Sequence, residues 1–531
     1  MPRQIAGALC SGVWLGCAFH PFNVSWIVWG GLLPLVLAIG SVPQPARAFQ
    51  LGWLAGLAFF LLTLYPFVSA QAWAGWIGLA EFRATSTFPP TGSGWILHGL
   101  WFVFSCWGAV HWGVWAALVH RLGGSRPWRV LVAAPAAWIL VAEWLRSLTL
   151  FQTPWAFLGY ATADNLELRQ LAALGGVWPT SALIVMTNVA VAQVWRHRSP
   201  QTWSALAAVG GLLAVAWWGG SQYLRDSVLE PDQVVAALQD RKNMSAQEVS
   251  QEFERTGLSG RFPLMQEAVR RRVKLLVLPE TITGGTTRLD DTVSRQEPLS
   301  NQTSRQAWDA LVRPFVQGAD TVLVVGLQIV EKGRDYNALL AWTRKGLVGV
   351  YRKRKLVPFS EYLPPGWGWL PLRSAIRFSP GLGSQLIRVD GLVMGGFICQ
   401  EVMYPWLLRA SVRDGATLLI SGANDGVWTN SAVPDAQADA ARFRAVETGR
   451  YILRATATGI SAVLDPHGRE LARSPSDAPV LLVAKVSPRE GWTPYVRFGD
   501  WLLNVAALLL AWLALTRTRV TASGRHRRAS A

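Results

Sequence analysis

The first 220 residues of this 531-residue chain contain very few charged side chains and no lysine. They hold ten arginines and four acids, so only 14 of these 220 positions are charged. Composition of this kind is too apolar for a disordered or water-soluble polypeptide. Residues 221–496 hold 34 basic and 28 acidic residues, which is ordinary for a water-soluble domain. The sequence therefore joins two parts that suit different solvents.

Cysteine is also scarce, and the four positions exclude a framework of disulfide bonds. Cys10, Cys17 and Cys106 lie in apolar stretches, whereas Cys399 stands alone in the polar part. A single cysteine in a soluble domain is most often a buried hydrophobic residue, and otherwise a nucleophile. We expect no metal ion and no cofactor.

Eight apolar runs approach the length of about 20 residues that a helix needs to cross a bilayer. They lie at 4–20, 22–41, 48–69, 94–119, 128–145, 171–195, 202–220 and 499–516. The first run is the weakest, because it contains three glycines and ends at His20-Pro21. A cleaved signal peptide is the alternative for that run, but a retained helix is the preferred interpretation.

The arginines flanking these runs predict the orientation of the chain. With the N-terminus in the cytoplasm, the inner segments carry twelve arginines and no acid. Positive residues beside membrane spans stay on the cytoplasmic side, so both termini are expected inside and residues 221–496 in the periplasm of a bacterium. The net charge of +17 falls to +5 when the twelve arginines are subtracted. The basic excess therefore indicates topology and not affinity for nucleic acid.

Ionisable residues within membrane spans would indicate a transporter. The candidates are His111 in the fourth run and the pair Glu143 and Arg146 near the end of the fifth. Glu143 and Arg146 are three residues apart and can pair across one helical turn. Structural pairs of this kind are more common than transport sites, so transport remains a minor alternative.

Apolar strands and amphipathic helices alternate in the polar part of the chain. Continuous hydrophobic runs, typical of strands in a sheet that is buried on both faces, occur at 234–238, 274–278, 321–326, 393–398 and 417–421. Helical segments lie between them at 263–272, 305–315 and 436–450. The pattern predicts an α/β sandwich. We therefore predict a transmembrane domain at 1–220, an α/β domain at 221–496, and a final span with a basic tail at 497–531.

Three reactive side chains follow predicted strands of this domain. Glu280 comes after Leu278-Pro279, Lys353 lies in a basic run, and Cys399 directly follows the strand at 393–398. Sites in α/β proteins gather at the carboxyl ends of strands, so these three residues are candidates to converge. The alternative for Lys353 is a solvated face or a contact with lipid headgroups, since its neighbours are also basic.

The order Glu, Lys, Cys in these contexts resembles the nitrilase superfamily. The seven apolar runs before the domain and the one after it narrow the resemblance to the apolipoprotein N-acyltransferase family. Further segments similar to that family are Glu143-Trp144-Leu145-Arg146, Pro154-Trp155, 174–177, 356–361, 424–428 and 444–450. The similarity covers almost the whole chain. It implies a nitrilase-like αββα sandwich attached to about eight membrane spans.

The resemblance also implies the reaction and the role of each residue. Cys399 would attack an acyl ester of a phospholipid, typically phosphatidylethanolamine, and form a thioester. Glu280 would be the general base and acid, and Lys353, aligned through Tyr351 and chosen over Lys355, would stabilise the oxyanion. The acyl group would pass to the α-amino group of a diacylated apolipoprotein. Glu361 and Glu401 resemble supporting carboxylates, with simple surface charge as the alternative.

Aromatic loops and several departures from the family pattern complete the predictions. Trp367 and Trp369, in a turn-rich loop, and Trp428 are candidates to contact lipid or substrate, with a packed surface loop as the alternative. The family's usual residues are replaced at Leu278, Gln400, Ala436-Gln437 and 239–244. These departures leave the acyl-donor preference and the gating of the loops open. Arg444, Glu447 and Arg450 are expected to form helix salt bridges. Two other functions stay open, namely a tethered amidase or nitrilase and a non-catalytic receptor or transporter.

Overall fold

A computed structural model describes most of the chain in two compact units. The described residues are 1–69, 94–124, 126–149, 154–226, 230–240, 261–280, 286–290, 302–317, 320–358, 360–363, 378–428, 432–475 and 478–529. The helical unit comprises Met1–Pro66, His98–Asp226 and Phe498–Ala531. The α/β unit comprises Phe67–Leu97 and Ser227–Arg497.

The helical unit contains long apolar helices joined by short ones. Its longer helices are Pro2–Cys17, Leu33–Ser41, Pro45–Thr63, Gly94–Gly123, Pro127–Ala137, Trp178–His197, Pro200–Asp226 and Trp501–Ala529. Shorter helical segments are Ser25–Ile27, Val28–Gly31, Tyr65–Ser69, Arg146–Leu148, Leu158–Thr162, Leu166–Arg169 and Ala172–Gly175, and a π-helix runs over Trp138–Leu145.

The prediction of several membrane-spanning helices is confirmed, but the number eight is not reached. Among the described residues, four helices are long and apolar enough to span, or five if the bent pair Leu166–Gly175 and Trp178–His197 is one span. That pair bends by 118°. The second predicted run corresponds to the broken helical stretch Ser25–Ser41, and the eighth to the apolar part Trp501–Arg517 of the helix Trp501–Ala529. The second run is broken into the segments Ser25–Ile27, Val28–Gly31 and Leu33–Ser41, so this apolar run overestimates helix length.

Glu143 and Arg146 hold neighbouring segments of the helical unit in place. The Glu143 carboxylate accepts hydrogen bonds from Trp138 Nε1 and Ser181 Oγ at 3.0 Å and from the Leu158 backbone N–H at 2.6 Å. Arg146 donates to the backbone carbonyls of residues 142 and 155. Both side chains are buried. Their contacts are of the kind that satisfies buried polar groups in an apolar bundle.

The α/β unit contains two sheets, and the larger one carries two of the three reactive residues. Sheet 1 consists of β1 Gln233–Gln239, β2 Leu275–Val277, β3 Thr286–Arg288, β4 Gln302–Ser304, β5 Val322–Glu331, β6 Arg334–Thr343, β7 Gly346–Arg352 and β14 Val480–Val486. Strands β1, β2 and β5 are parallel neighbours. Strands β5, β6 and β7 form an antiparallel meander, so β7 runs in the same direction as β5.

Sheet 2 carries Cys399 at the end of a central strand. It consists, in spatial order, of β13 Glu470–Arg473, β12 Ala462–Leu464, β11 Ile452–Thr456, β10 Leu418–Ala423, β9 Leu392–Ile398 and β8 Ile387–Val389. Strands β9, β10 and β11 are parallel. Their carboxyl ends therefore lie at one edge of the sheet.

A continuous apolar core joins the two sheets. It contains buried residues of sheet 1, such as Leu275 and Leu339, together with residues of sheet 2, such as Leu418 and Leu453. A second core forms where helices Phe262–Arg270 and Arg305–Val316 cover sheet 1. Helices Pro405–Arg413 and Val433–Thr448 complete the domain beside sheet 2. The predicted α/β fold and its five buried strands are confirmed.

Candidate active site

Each of the three predicted catalytic residues directly follows a strand or lies just beyond its end. Glu280 lies three residues beyond β2, Lys353 follows β7, and Cys399 follows β9. All three side chains are buried. Lys353 Nζ lies 3.7 Å from Glu280 Oε1, and the charges of both groups act on the Cys399 thiol. The carboxyl ends of strands from two sheets thus bring a carboxylate, an ammonium group and a thiol into one polar cluster.

Glu280 is fixed through both of its carboxylate oxygens. Asn337 Nδ2 donates to Oε1 at 2.5 Å, and the backbone N–H of Asn424 donates to Oε2 at 2.9 Å. Gly326 on β5 makes this position possible, since a Cβ there would lie 2.3 Å from Pro279 O and 2.6 Å from Glu280 Cα. The carboxylate therefore has a set orientation before any substrate arrives.

Lys353 is held by a second carboxylate, that of Glu361. Lys353 Nζ donates to Glu361 Oε1 at 2.9 Å, and Asn337 Nδ2 donates to the same oxygen at 3.0 Å. The other oxygen of Glu361 accepts the backbone N–H of Val357 at 2.8 Å. Glu361 is only 3% exposed, so the alternative of a simple surface charge is wrong for this residue.

Cys399 adopts a backbone conformation that residues other than glycine rarely adopt. Its φ is +51°, in the left-handed region that favours glycine. The residue begins a short 3₁₀-helix, Cys399–Met403, directly after β9. Non-glycine residues in this region cost about 1–3 kcal/mol and concentrate at functional sites, where the surrounding structure holds them. The thiol is thus carried by the turn between β9 and this short helix.

Glu401 connects the turn at Cys399 to the loop that carries Lys353. Its Oε2 accepts the backbone N–H of Ile398 at 2.7 Å and the hydroxyl of Tyr351 at 2.7 Å. Its Oε1 accepts the backbone N–H groups of Arg354 and Lys355 at 2.8 and 2.9 Å. Glu401 is fully buried, so the surface-charge alternative is wrong here as well. One carboxylate therefore fixes the positions of both segments.

The pKa shifts of the cluster suit proton transfer from a neutral thiol. Burial raises the pKa of Cys399, and the negative charge of Glu280 raises it further. Burial also raises the pKa of the Glu280 carboxyl, although Lys353 opposes the rise. Burial lowers the pKa of Lys353, but Glu361 and Glu280 outweigh burial, so its pKa is raised and the group stays cationic. A base near a protonated thiol and a fixed cation can activate a nucleophile and stabilise an oxyanion.

A second buried polar cluster lies beside the first. Arg454 Nη2 donates to Asp425 Oδ2 at 2.8 Å and to Gln437 Oε1 at 2.9 Å. The side chains of Asp425 and Arg454 are completely buried, and their charges also act on the pKa of Cys399. Asp425 directly follows Asn424, whose N–H donates to Glu280. The ion pair therefore anchors the loop that orients the base.

Sequence reasoning missed two parts of this site. Asn337 bridges Glu280 and Glu361, and the pair Asp425–Arg454 supports the loop beside them. A weak signal was present for Asn337, because it directly precedes the apolar stretch Ala338–Trp342 within the same strand, β6. Arg454 likewise stands alone as a charge within β11. A buried polar residue inside an apolar strand requires a partner, which points to a polar cluster.

The tryptophans predicted to contact lipid or substrate, and two of the positions that depart from the family pattern, have different surroundings. Trp428 is 8% exposed, and its ring packs edge-on against Phe67 with centroids 5.1 Å apart. Trp367 and Trp369 lie outside the described residues. Leu278 belongs to the core under the helices of sheet 1, and Gln400 is partly buried next to the nucleophile. The roles of these residues in binding lipid or substrate stay predictions.

The predicted helix salt bridge near the end of Val433–Thr448 is confirmed for one pair. Arg444 Nη2 lies 2.7 Å from Glu447 Oε1, and both side chains are completely buried. Arg450 lies beyond the helix and donates to the carbonyls of Ala416 and Gly491. In the described part of the chain, no group of three or more His, Cys, Asp and Glu side chains is arranged to hold a metal ion.

Comparison with known proteins assigns both parts of the chain. The sequence model of the carbon-nitrogen hydrolase family matches residues 244–491, and that of the apolipoprotein N-acyltransferase N-terminal domain matches residues 11–190. A solved structure of a mutant Nesterenkonia AN1 amidase from the nitrilase superfamily is 20% identical and covers 52% of this chain and 98% of its own, with a TM-score of 0.36.

Curated relatives match over nearly the full length. The apolipoprotein N-acyltransferase of Pseudomonas syringae pv. tomato is 28% identical over 97% of both chains. That of Gloeobacter violaceus is 29% identical over 99% of this chain and 96% of its own. The two family models match the apolar part and the α/β part of the chain. The chain belongs to the apolipoprotein N-acyltransferase family.

Proposed function

We propose that this membrane-bound enzyme transfers a fatty acyl group from a phospholipid to the N-terminal α-amino group of a diacylglyceryl-cysteine in apolipoproteins. Phosphatidylethanolamine is the expected donor, and Cys399 carries the acyl group as a thioester between the two substrates. Glu280 moves the protons, and Lys353 stabilises the oxyanion. The single observation that carries this assignment of residues is the buried contact of Lys353 with Glu280, beside Cys399.

In the first half of the reaction, Cys399 becomes acylated. Glu280 takes the proton from Cys399 Sγ, and the thiolate attacks the carbonyl carbon of the phospholipid ester. The negative charge that develops on the carbonyl oxygen is stabilised by the Lys353 ammonium group. When the tetrahedral intermediate collapses, the ester C–O bond breaks and the lysophospholipid oxygen takes the proton from Glu280. The products are a thioester and a lysophospholipid.

In the second half, the acyl group moves to nitrogen. The neutral α-amine of the acceptor attacks the thioester carbonyl, and Glu280 accepts a proton from the attacking nitrogen. The C–S bond then breaks, and the Cys399 thiolate takes that proton back from Glu280. The free thiol and the ionised carboxylate are restored, so the enzyme needs no external acid, base or oxidant.

The membrane part of the proposal concerns topology. Eight spans, with both ends in the cytoplasm and the α/β unit in the periplasm, agree with the twelve arginines that flank the predicted spans. Both substrates are lipid-anchored and would reach the site from the membrane. Trp367, Trp369 and Trp428 are the aromatic residues proposed to contact lipid there.

The test is direct observation of the acyl-enzyme. Purified enzyme is incubated with phosphatidylethanolamine, quenched with acid, and digested for mass spectrometry. We expect an acyl adduct on Cys399, and loss of the adduct from that peptide when a diacylated lipopeptide is added, with the acyl group recovered on its α-amine. The matched control is Cys106→Ala, which removes a thiol from the helical unit and should acylate normally.

The second candidate function is hydrolysis by a membrane-tethered amidase. It is supported by the carbon-nitrogen hydrolase match at residues 244–491. Release of free fatty acid from the acyl-enzyme, without any transfer to the lipopeptide, would favour this candidate. Full transfer activity in Cys399→Ala would contradict both enzymatic proposals, and an absence of adduct in the unsubstituted enzyme would favour a non-catalytic receptor or transporter.

A further inference from the structure

A cavity of ≈ 400 Å³ lies within the helical unit, among residues of five helices. Its wall includes residues from the helices Leu33–Ser41, Gly94–Gly123, Pro127–Ala137, Trp178–His197 and Trp501–Ala529. The volume falls within the range of about 300–1,000 Å³ that is typical of small-molecule sites. None of the proposed catalytic residues lines it, because these all belong to the α/β unit.

The base of this cavity is apolar and its mouth is cationic. The side chains of Ile39, Val119 and Ala192 line it and are buried. Arg126, Arg196 and Arg517 also line it and are exposed. Among the described residues that line it there is no aspartate or glutamate. An anionic headgroup joined to a hydrocarbon chain has the chemistry that fits such a wall.

Arg129 differs from the arginines that line the cavity. It lies on Pro127–Ala137, a helix that contributes other residues to the cavity wall. Arg129 is 5% exposed and donates to the carbonyls of Leu122 and Leu513 and to Thr516 Oγ1. Its charge is thus directed into the protein. Arg126 and Arg196 instead line the cavity and are exposed. Guanidinium groups bind phosphate oxygens in a bidentate manner, which makes them suited to this position.

The lack of a side chain at Gly40 leaves room for the Arg196 guanidinium group. Arg196 Nη2 donates to Gly40 O at 2.7 Å, and a Cβ built on Gly40 would lie 1.5 Å from Arg196 Nη1. The guanidinium group therefore occupies the space that any other residue at position 40 would fill. The bond to Gly40 uses one of its five N–H groups. The helix end thus fixes a cation against the cavity wall.

We propose that this cavity binds the phosphate headgroup of an anionic glycerophospholipid, such as phosphatidylglycerol, as a site separate from the acyl-transfer centre. Basic pockets between membrane helices bind anionic lipid headgroups in this way. The phosphate contacts the arginines, and the glycerol and first methylene groups contact the apolar base. A zwitterionic lipid is disfavoured, because its ammonium group would meet three positive charges and no carboxylate.

Native mass spectrometry of the full-length protein in mild detergent tests this site. Phosphatidylglycerol and phosphatidylcholine with identical acyl chains are offered separately at equal concentration. We expect the protein to retain phosphatidylglycerol about tenfold more strongly. Since each interfacial arginine is worth about a fivefold factor in affinity, Arg126→Gln combined with Arg196→Gln should reduce retention of phosphatidylglycerol by about thirtyfold.

Two further variants separate the site from a general effect of charge. Arg121→Gln removes an exposed arginine from the same end of Gly94–Gly123 but not from the cavity wall, so it should bind phosphatidylglycerol normally. Gly40→Ala keeps every charge but displaces the end of Arg196, and should weaken retention about fivefold. Because only a flexible side-chain end must move, Gly40→Ala should fold with an unchanged thermal midpoint even if the double variant does not.

Thermal shift measurements with inorganic phosphate, at matched ionic strength, distinguish a lipid from a free anion. We expect phosphatidylglycerol to stabilise the protein and inorganic phosphate to have little effect. Equal stabilisation by phosphate alone would overturn the lipid assignment in favour of an anion site. Equal retention of the two lipids, or equal losses in Arg121→Gln and the double variant, would overturn the site itself.

Discussion

Burial raises the proton affinity of both groups that must exchange a proton in the proposed reaction. The pKa of Cys399 is raised by burial and by the charge of Glu280, and the pKa of Glu280 is raised by burial. The raised pKa favours a neutral thiol at rest, so the proposed reaction does not begin from a preformed thiolate. Acylation must be assisted by a base, which makes the ionisation state of Glu280 decisive for activity.

The pH profile of acyl transfer should report the Glu280 carboxyl. Glu280 must be ionised to accept the thiol proton, so kcat/KM should fall as the pH drops through its pKa. Because that pKa is raised, the acidic limb should lie above the ordinary value of about 4.3. Glu280→Gln should lower kcat/KM by about 10²–10⁴-fold and remove this limb. The measurement is the initial rate of lipopeptide acylation against pH.

Glu267→Gln is the matched control for that experiment. Glu267 is a partly exposed carboxylate on Phe262–Arg270 that pairs with Arg270 and Arg271. The substitution removes the same charge from the α/β unit without touching the polar cluster, so the profile should not change. An acidic limb that persists in Glu280→Gln would assign it to another group and contradict the role of Glu280 as base.

At the scale of elements, the close contact of Gly326 on β5 with Pro279 and Glu280, just beyond β2, determines the position of Glu280. Gly326→Ala would introduce a Cβ at 2.3 Å from Pro279 O and force Glu280 to move. A displacement of about 1 Å in a catalytic group lowers rates by about 10²-fold. We expect kcat to fall by that factor while KM for the phospholipid changes little, measured by steady-state kinetics in mixed micelles.

Gly210→Ala provides the comparison, since a Cβ there meets nothing within 4 Å. This variant should retain full kcat. If Gly326→Ala also retained full kcat, the position of β5 would not control the base.

The loop Asn424–Trp428 depends on the ion pair between Asp425 and Arg454. Removing one partner of a buried ion pair leaves the other uncompensated, at a cost of about 3–5 kcal/mol in the free energy of unfolding. Arg454→Met should therefore lower the thermal midpoint strongly and reduce kcat, because the Asn424 N–H loses its position at Glu280. The midpoint is measured by scanning calorimetry in detergent.

The double variant Arg454→Met/Asp425→Ala makes this interpretation testable. Without either charge, the protein should unfold at a higher temperature than Arg454→Met alone, while kcat stays low. If the loss of stability in the double variant equalled the sum of the losses in Arg454→Met and Asp425→Ala, the two residues would not be coupled. Such a result would leave the loop to be positioned by other contacts.

The strands that are long and apolar were predictable from the sequence. The runs at 393–398 and 417–421 correspond closely to β9 and β10, and the residue after β9 was correctly expected at a strand end. The hairpin β6–β7 was not predicted, because Arg334–Thr343 mixes polar residues with its apolar ones.

The positions of Glu280, Lys353 and Cys399 along the chain were predictable, but their supporting contacts were not. Asn337 is 57 residues from Glu280 and 24 from Glu361, and its bonds depend on how sheet 1 brings β6 close to the segments that follow β2 and β7. Similarly, Glu401 contacts a loop 46 and 47 residues earlier. Spacing along the sequence carries no information on such bonds, since they are determined by the strand order of sheet 1 and by the packing of sheet 1 on sheet 2.

At the scale of the whole molecule, the arrangement of the chain across the membrane can be tested by cysteine labelling. In a background lacking Cys10, Cys17 and Cys106, new cysteines are placed at Arg344, whose side chain is 66% exposed in the α/β unit, and at Arg121 in the helical unit. We expect a membrane-impermeant maleimide to label Arg344→Cys in intact cells and Arg121→Cys only after lysis.

The same experiment includes an internal control and a clear contrary result. Cys399 is buried and should remain unlabelled in the folded background protein. Labelling of Arg121→Cys in intact cells would contradict the proposal that the arginine-rich ends face the cytoplasm. Labelling of both positions only after lysis would place the α/β unit in the cytoplasm.

The two hydrogen bonds that fix Glu280 have a kinetic consequence for the enzyme. A carboxylate held by Asn337 and by the Asn424 N–H cannot turn between two separate subsites. The departing oxygen of the first substrate and the incoming nitrogen of the second must therefore occupy the same position in turn. We expect lysophospholipid to be a competitive inhibitor against the lipoprotein acceptor, and high concentrations of acceptor to slow the loading of the enzyme. The two substrates would then have to bind one after the other, because both need the same position beside Glu280.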